Sequence, residues 1–114
     1  MDKVVDKLAG MGVAGLVLAI VISISGYAGA AALTSSLALL GGPWGMIGGI
    51  GVLLLIGSVS TAIANYGIDA VAKGIVQKMI DDGKSKSDIK SEIDSFPIIS
   101  KDMKVKLNYH VDQA

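Results

Sequence analysis

The sequence predicts an all-α integral membrane protein: a helical hairpin of two long hydrophobic helices, then an amphipathic helix and a short C-terminal helical hairpin. Three observations predict this fold. Residues 8–68 of the 114-residue chain contain no Asp, Glu, Lys, Arg or His, and a water-soluble domain of this size seldom leaves half its length uncharged. Helix-breaking residues cluster at 41–45, and after residue 67 apolar residues recur at helical spacing.

The N-terminal segment, residues 1–7, is predicted to lie at a membrane interface. Its Lys3 and Lys7 are placed to meet lipid phosphates. A secretory signal peptide is an alternative, with cleavage near residues 28–30. Because the segment carries no net charge and the apolar run after it is long, a retained anchor is favoured.

The first hydrophobic segment covers residues 8–40. About 20 residues cross a hydrocarbon core, and the segment is longer than that. It is therefore either one long tilted helix, or a span to about Ser25 followed by a second helix from Tyr27.

A turn is predicted at residues 41–45, where the sequence reads GGPWG. Paired glycines and a proline end a helix and permit a reversal, and Trp44 favours the membrane–water boundary. The second hydrophobic helix then runs from Met46 to about Tyr66, which is also assigned to the boundary. Together the two helices form a transmembrane hairpin over residues 8–67.

Lysine placement predicts the orientation of this hairpin. Short flanks rich in Lys prefer the cytoplasm, and both flanks here carry Lys. Two spans with both termini cytoplasmic satisfy this preference, whereas splitting the first segment would give three spans.

Small residues recur at every fourth position in both hydrophobic segments. Rows of this kind let helix backbones approach closely, so they predict helix packing, although the spacing does not distinguish packing within a hairpin from packing between subunits. The residues assigned to packing or oligomerisation are Gly15, Ala19, Ser23, Gly41, Gly45, Gly49, Gly57, Thr61 and Asn65.

An amphipathic helix is predicted over residues 68–83. Its apolar side carries Ile68, Val71, Ile75 and Met79 at helical spacing. Such a helix suits a membrane interface or a protein core.

The charged tail, residues 84–114, is predicted to form two short helices. Ser87 can cap the first, which Pro97 closes, and Ser100 can cap the second. A hairpin this small has no sufficient core of its own, so it is expected to pack on the amphipathic helix, the membrane or a partner protein.

The sequence offers no recognisable catalytic, cofactor or metal site. Ten Lys balance ten acidic residues and Arg is absent, which argues against nucleic-acid binding. Cysteine is absent, and the single histidine, His110, has no evident catalytic or metal-binding partners. No ionisable group lies in residues 8–68, which disfavours an intramembrane proton relay.

The runs GYAGAAALTSSLALLGG (residues 26–42) and GMIGGIGV (residues 45–52) resemble the small Gly/Ala-rich membrane proteins of the interferon-inducible type and their bacterial look-alikes. The resemblance does not extend to the charged tail from Asp69 onward. It implies a helical hairpin that inserts into membranes and takes part in innate defence or cell death, without enzymatic activity.

Two functions fit these expectations. The first is a self-associating membrane protein that forms an oligomeric pore or acts as a membrane-perturbing defence effector or toxin, with lipid and other copies of the chain as partners. The alternative is a non-conducting membrane anchor or accessory subunit whose charged tail docks a partner protein. A helical bundle whose uncharged helices are buried in a large oligomer is a further alternative, and an enzyme acting on lipid lacks a candidate catalytic pair.

Overall fold

The computed structural model describes residues 2–39, 49–97 and 99–114, and the surroundings of the side chains of residues 3–26, 56–97 and 99–114. Within these residues the chain forms six α-helices, so the all-α part of the predicted fold is confirmed. The helices are α1 (Asp2–Gly10), α2 (Val13–Leu39), α3 (Gly49–Tyr66), α4 (Ile68–Asp81), α5 (Lys86–Ser95) and α6 (Lys101–Gln113).

Helix α4 lies at the centre of the packing, where it contacts α1, α2, α3 and α6. Its buried residues recur at helical spacing, so they share one side of the helix. The amphipathic helix predicted at residues 68–83 therefore turns its apolar side into the protein. The buried residues are Val71, Ala72, Ile75, Val76 and Met79.

A tight turn joins α1 to α2. Gly12 has a φ of +70°, which glycine adopts without steric cost, and its N–H donates to the carbonyl oxygen of Ala9 over 2.9 Å. The turn brings Gly15 against α1, where a Cβ would lie 2.1 Å from the carbonyl oxygen of Leu8. Only glycine permits this approach between the two helices.

The C-terminal helices fold onto the rest of the chain. Helix α6 packs against both α4 and α5, and Ile93 of α5 and Leu107 of α6 are fully buried. Ser100 caps α6 as predicted, because its Oγ accepts a hydrogen bond from the N–H of Met103 over 3.2 Å.

The start of α5 differs from the prediction that Ser87 caps this helix. Helix α5 begins at Lys86, and Ser85 holds the N-cap position with extended backbone angles. The hydroxyl of Ser87 lies 3.0 Å from that of Ser85, so Ser87 belongs to the first turn of the helix.

Gly26 interrupts α2, with φ 73° and ψ −166°. The uninterrupted part before it, residues 13–25, is about 20 Å long at about 1.5 Å per residue. A hydrocarbon core is about 30 Å thick. Residues 8–40 do not form the single helix of about 50 Å that the sequence allowed, because a turn separates α1 from α2 and Gly26 interrupts α2.

The membrane-spanning part of the predicted fold is wrong, because no helix among the described residues combines the length and the apolar character that a bilayer crossing requires. The apolar side chains before Gly26 instead turn into the protein, where Leu16 and Leu18 are 0% exposed and Ile22 is 5% exposed. An all-apolar helix suits a protein core as well as lipid.

The same finding contradicts the predicted multi-pass membrane localisation with both termini in the cytoplasm, and the description of the chain as a transmembrane protein. The turn predicted at residues 41–45 lies outside the described residues.

Candidate functional site

The small residues of α2 pack inside the chain. Gly15 touches the backbone of Leu8, as described above, and Ala19 is fully buried. Ser23, the next residue of the row, is exposed, and its hydroxyl donates to the carbonyl oxygen of Ile20 over 2.7 Å. Gly15 and Ala19 therefore serve packing within one chain and are not available to a second copy.

The row of Gly57, Thr61 and Asn65 lies on the exposed side of α3. Ile56, Val59 and Ala62 face the core. The opposite side, here called the α3 outer face, is formed by half-buried Gly57 and by three exposed residues. Those three are Ser58, Thr61 and Asn65.

The α3 outer face is open at its centre. A Cβ at Gly57 would find no atom within 4 Å. The Thr61 hydroxyl points back along its own helix and donates to the carbonyl oxygen of Gly57 over 3.0 Å. The face is thus uncharged, open at Gly57 and hydrogen-bonded within itself at Thr61.

The other predicted site residues have varied positions. Gly41, Trp44 and Gly45 lie outside the described residues, and Gly49 is the first residue of α3. Lys3 and Lys7 are exposed on α1, and Tyr66 is 54% exposed at the end of α3. Exposure alone leaves the membrane-interface role assigned to these three residues untested.

Helix α6 presents a second exposed surface, here called the α6 outer face, formed by Val105 and Tyr109. Val105 is 64% exposed and Tyr109 is 66% exposed, and their spacing of four places them on one side of the helix. Leu107 and Val111 occupy the buried side. The sequence-based prediction for this helix included only the apolar residues of the buried side. It missed Val105 and Tyr109, and the signal that could have revealed them was their spacing of four.

Three ion pairs, made by two lysines, set the electrostatics around α4. Lys106 of α6 lies 2.9 Å from Asp69, and the hydrogen bond it donates to this carboxylate, together with the attraction between the charges, raises the pKa of Lys106. Lys78 lies 3.4 Å from Asp82 and 3.9 Å from Asp6, and its hydrogen bond to Asp82 is the main reason that its pKa is raised. Both lysines therefore stay protonated to a higher pH than an isolated lysine does.

His110 lies between α6 and α4, where its Nε2 is 2.9 Å from Oε1 of Gln77. The amide nitrogen of Gln77 in turn donates to Asp81 over 2.9 Å. This chain of contacts orients the imidazole against α4 and joins the two helices. Within residues 2–39, 49–97 and 99–114, no group of three or more His, Cys, Asp or Glu side chains could hold a metal ion.

Comparison with known proteins adds no relative. No family model, curated protein or solved structure matches the chain. The resemblance of residues 26–52 to the small interferon-inducible-type proteins therefore stays a prediction.

Proposed function

We propose that this protein acts by associating with copies of itself through the α3 outer face, without a catalytic step of its own. The observation that carries the proposal is the open space above Gly57, where nothing lies within 4 Å of the position of a Cβ. The distance between packed helices depends on the side chains at their contact. A residue without a side chain at this point allows a second helix to come close.

The α3 outer face suits association because removing it from water costs little free energy. No residue of this face is charged, and the Thr61 hydroxyl keeps its bond to the carbonyl oxygen of Gly57 when a partner covers it. Burying charged groups or unbonded polar groups is unfavourable, and the centres of protein interfaces are depleted in charged residues. The charged sides of α4 and α6 are less suited to such burial.

A twofold axis is the simplest arrangement for this association, because it brings the same face of both copies together. Helix α3 of one copy would then pack across Gly57 of the other. The proposal keeps the homo-oligomer of the sequence-based hypothesis but assigns it to Gly57, Thr61 and Asn65, since Gly15 and Ala19 are used inside the chain. It includes neither a pore nor a membrane anchor.

Sedimentation velocity of the full chain over a wide range of concentration tests the proposal. Gly57→Leu places a bulky side chain in the open space and should leave the protein monomeric. Leucine is a better helix former than glycine by about 1 kcal/mol, so the variant should keep its helices, which circular dichroism can check. Thr61→Lys, which adds charge repulsion across the twofold axis, should have the same effect.

Gly10→Leu is the matched control. Gly10 also has no atom within 4 Å of a Cβ position, but it lies at the end of α1, and its replacement should leave assembly unchanged. A wild-type chain that stays monomeric at every concentration would overturn the proposal. So would a Gly57→Leu variant that assembles as the wild type does.

A second candidate function is the docking of a different protein on the α6 outer face. Two apolar side chains, Val105 and Tyr109, are about two-thirds exposed there, and tyrosine is enriched at protein interfaces. Cross-linking of the full chain in its native cells, compared with the Val105→Ser/Tyr109→Ser double variant, separates the two candidates. A partner lost in the double variant and kept in Gly57→Leu supports docking, whereas the opposite pattern supports self-association through α3.

A further inference from the structure

The chain contains a single step at which an aspartate precedes a glycine, Asp82–Gly83. At such a step the backbone nitrogen of the glycine can attack the side-chain carboxyl carbon of the aspartate, because glycine has no Cβ to obstruct the approach. The attack expels a molecule of water and closes a cyclic imide. Water then opens the imide at either carbonyl, which gives back aspartate or leaves isoaspartate, whose backbone runs through Cβ.

The Asp82–Gly83 step lies at the surface, where α4 ends. Asp82 is the C-cap residue of α4, and both residues are exposed. A Cβ at Gly83 would find no atom within 4 Å. Water therefore reaches the step, and any restraint on the attack has to come from the local geometry of the helix end, which frays more readily than the middle of a helix.

Two backbone hydrogen bonds restrain the attacking nitrogen. The N–H of Gly83 donates to the carbonyl oxygen of Ile80 over 3.0 Å, and the N–H of Lys84 donates to the carbonyl oxygen of Met79 over 3.0 Å. These bonds form the Schellman motif, which closes the C-terminal end of many α-helices. The nitrogen has to give up its proton when it attacks, and the bond to Ile80 keeps that proton in place.

The Asp82 carboxylate is restrained by a lysine of the preceding turn. Its Oδ1 lies 3.4 Å from Nζ of Lys78, and side chains four positions apart are neighbours on a helix surface. The pair turns the Asp82 side chain back along α4, whereas attack requires the carboxyl carbon to approach the nitrogen of Gly83. The two reacting groups are thus held apart.

We propose that Asp82–Gly83 is a site of spontaneous isoaspartate formation, which the folded protein restrains through the cap of α4 and the Lys78–Asp82 pair. Opening of the last turn of α4 frees the carboxyl group and the nitrogen together. The nitrogen then forms a bond to the carboxyl carbon, loses its proton and expels water. Hydrolysis of the imide takes up water again, so the two steps need no other reactant.

Isoaspartate at position 82 affects the contacts of Lys84. It lengthens the backbone within the cap, so the two hydrogen bonds of the cap cannot both keep their geometry. Lys84 pairs with Glu92 of α5 at 3.3 Å, and its Nζ lies 2.9 Å from the position of a Cβ at Gly12, in the turn between α1 and α2. We expect the modified protein to lose this link and to unfold at a lower temperature than the unmodified protein.

Incubation of the full chain in heavy-oxygen water tests the proposal. Opening of the imide places a heavy oxygen atom at residue 82, which mass spectrometry of the derived peptides locates. The label should enter at least tenfold more slowly in the folded protein than in guanidinium chloride at the same pH and temperature, because the reaction requires local opening. Asp82→Glu is the control for the site, since glutamate closes the corresponding ring less readily, and it should take up no label there.

Lys78→Met tests the ion pair. Labelling of Asp82 in the folded variant should accelerate severalfold, whereas in guanidinium chloride it should match the wild type. Lys78 also lies 3.9 Å from Asp6 of α1, so Asp6→Asn is the matched control. It removes the other partner of Lys78, keeps the pair with Asp82 and should label at the wild-type rate.

Three results would overturn the proposal. Absence of label at residue 82 in guanidinium chloride would exclude the site, and equal rates in the folded and unfolded protein would exclude the restraint. A Lys78→Met variant that labels no faster than Asp6→Asn would exclude the contribution of the ion pair. The comparison of folded with unfolded wild type stands even if a variant fails to fold.

Discussion

Lys106 donates a hydrogen bond from its Nζ to Oδ2 of Asp69 over 2.9 Å, and so joins the middle of α6 to the first turn of α4. An aspartate at this end of a helix is also favoured by the helix dipole. Further along α4, His110 reaches Gln77 over 2.9 Å. These two contacts, above the buried Leu107 and Val111, fix the position of the C-terminal helix on the central one.

We expect the Asp69–Lys106 pair to contribute less to stability at alkaline pH. Its hydrogen bond and the charge of Asp69 raise the pKa of Lys106. Stabilisation by a raised pKa is complete below the unfolded-state value, about 10.4, and is lost as the pH rises through the higher folded-state value. We therefore expect the urea midpoint of the wild type to fall more steeply above about pH 10.4 than that of Lys106→Met.

Lys101→Met is the control for this experiment, because Lys101 is an exposed lysine of the same helix. Its pH profile should follow the wild type. An identical alkaline decrease in all three proteins would show that the Asp69–Lys106 pair contributes nothing measurable.

Replacing Gly15 or Gly57 with alanine should change the stability of the protein in opposite directions. At Gly15 a Cβ would overlap the carbonyl oxygen of Leu8, and such overpacking costs about 1–3 kcal/mol or more. At Gly57 the Cβ has open space, so Gly57→Ala should stabilise α3 by about 0.5–1 kcal/mol. Urea unfolding measures both, and a neutral Gly15→Ala would contradict the close approach of α1 and α2.

The two sides of α6 should respond differently to truncation. Leu107→Ala removes a fully buried side chain and should cost about 2–5 kcal/mol. Val105→Ala removes an exposed one and should stay within about 0.5 kcal/mol. Thermal unfolding of both variants provides the measurement. Similar losses at the two positions would mean that the α6 outer face is covered in the protein in solution.

Alanine substitution at two serines that begin helices, Ser100 and Ser85, should cost different amounts of stability. The Oγ of Ser100 accepts from the N–H of Met103, so Ser100→Ala should cost about 1 kcal/mol. Ser85 holds the N-cap position of α5 without a side-chain hydrogen bond to the backbone there, and Ser85→Ala should cost less. Urea unfolding of the two variants ranks them, and the reverse order would refute the cap at Ser100.

The amphipathic stripe of α4 could be predicted from the sequence, because apolar residues at helical spacing, such as Val71, Ile75 and Met79, need an apolar neighbour whatever that neighbour is. The cap at Ser100 was equally accessible, since serine hydroxyls satisfy free N–H groups at helix starts. Both depend on local geometry that neighbouring residues in the chain determine.

The surroundings of the apolar segments could not be predicted in the same way. Hydropathy measures transfer out of water, and Leu16, Leu18 and Ile22 gain similarly from lipid and from a protein core. The choice depended on Gly26, which breaks α2 through its backbone angles, and on Gly15, which lets α1 lie against α2. Glycine has several uses, so the sequence alone did not reveal these two.

The α3 outer face was predicted in part. The row Gly57, Thr61 and Asn65 was found by its spacing, but the same rule selected Gly15 and Ala19, which are internal. Whether a small residue faces the core or the solvent is decided by the rotation of the helix about its axis. That rotation depends on tertiary contacts such as those of Ile56 and Val59.

The central position of α4 also has a consequence for synthesis. Helix α1 ends at Gly10, and α4, the helix that covers it, begins only at Ile68. At about 5–20 residues per second, the apolar side of α1 waits roughly 3–12 s on the ribosome before synthesis of α4 begins. During this interval the nascent chain is open to aggregation, so the rate of elongation should influence how much of the protein reaches its folded state.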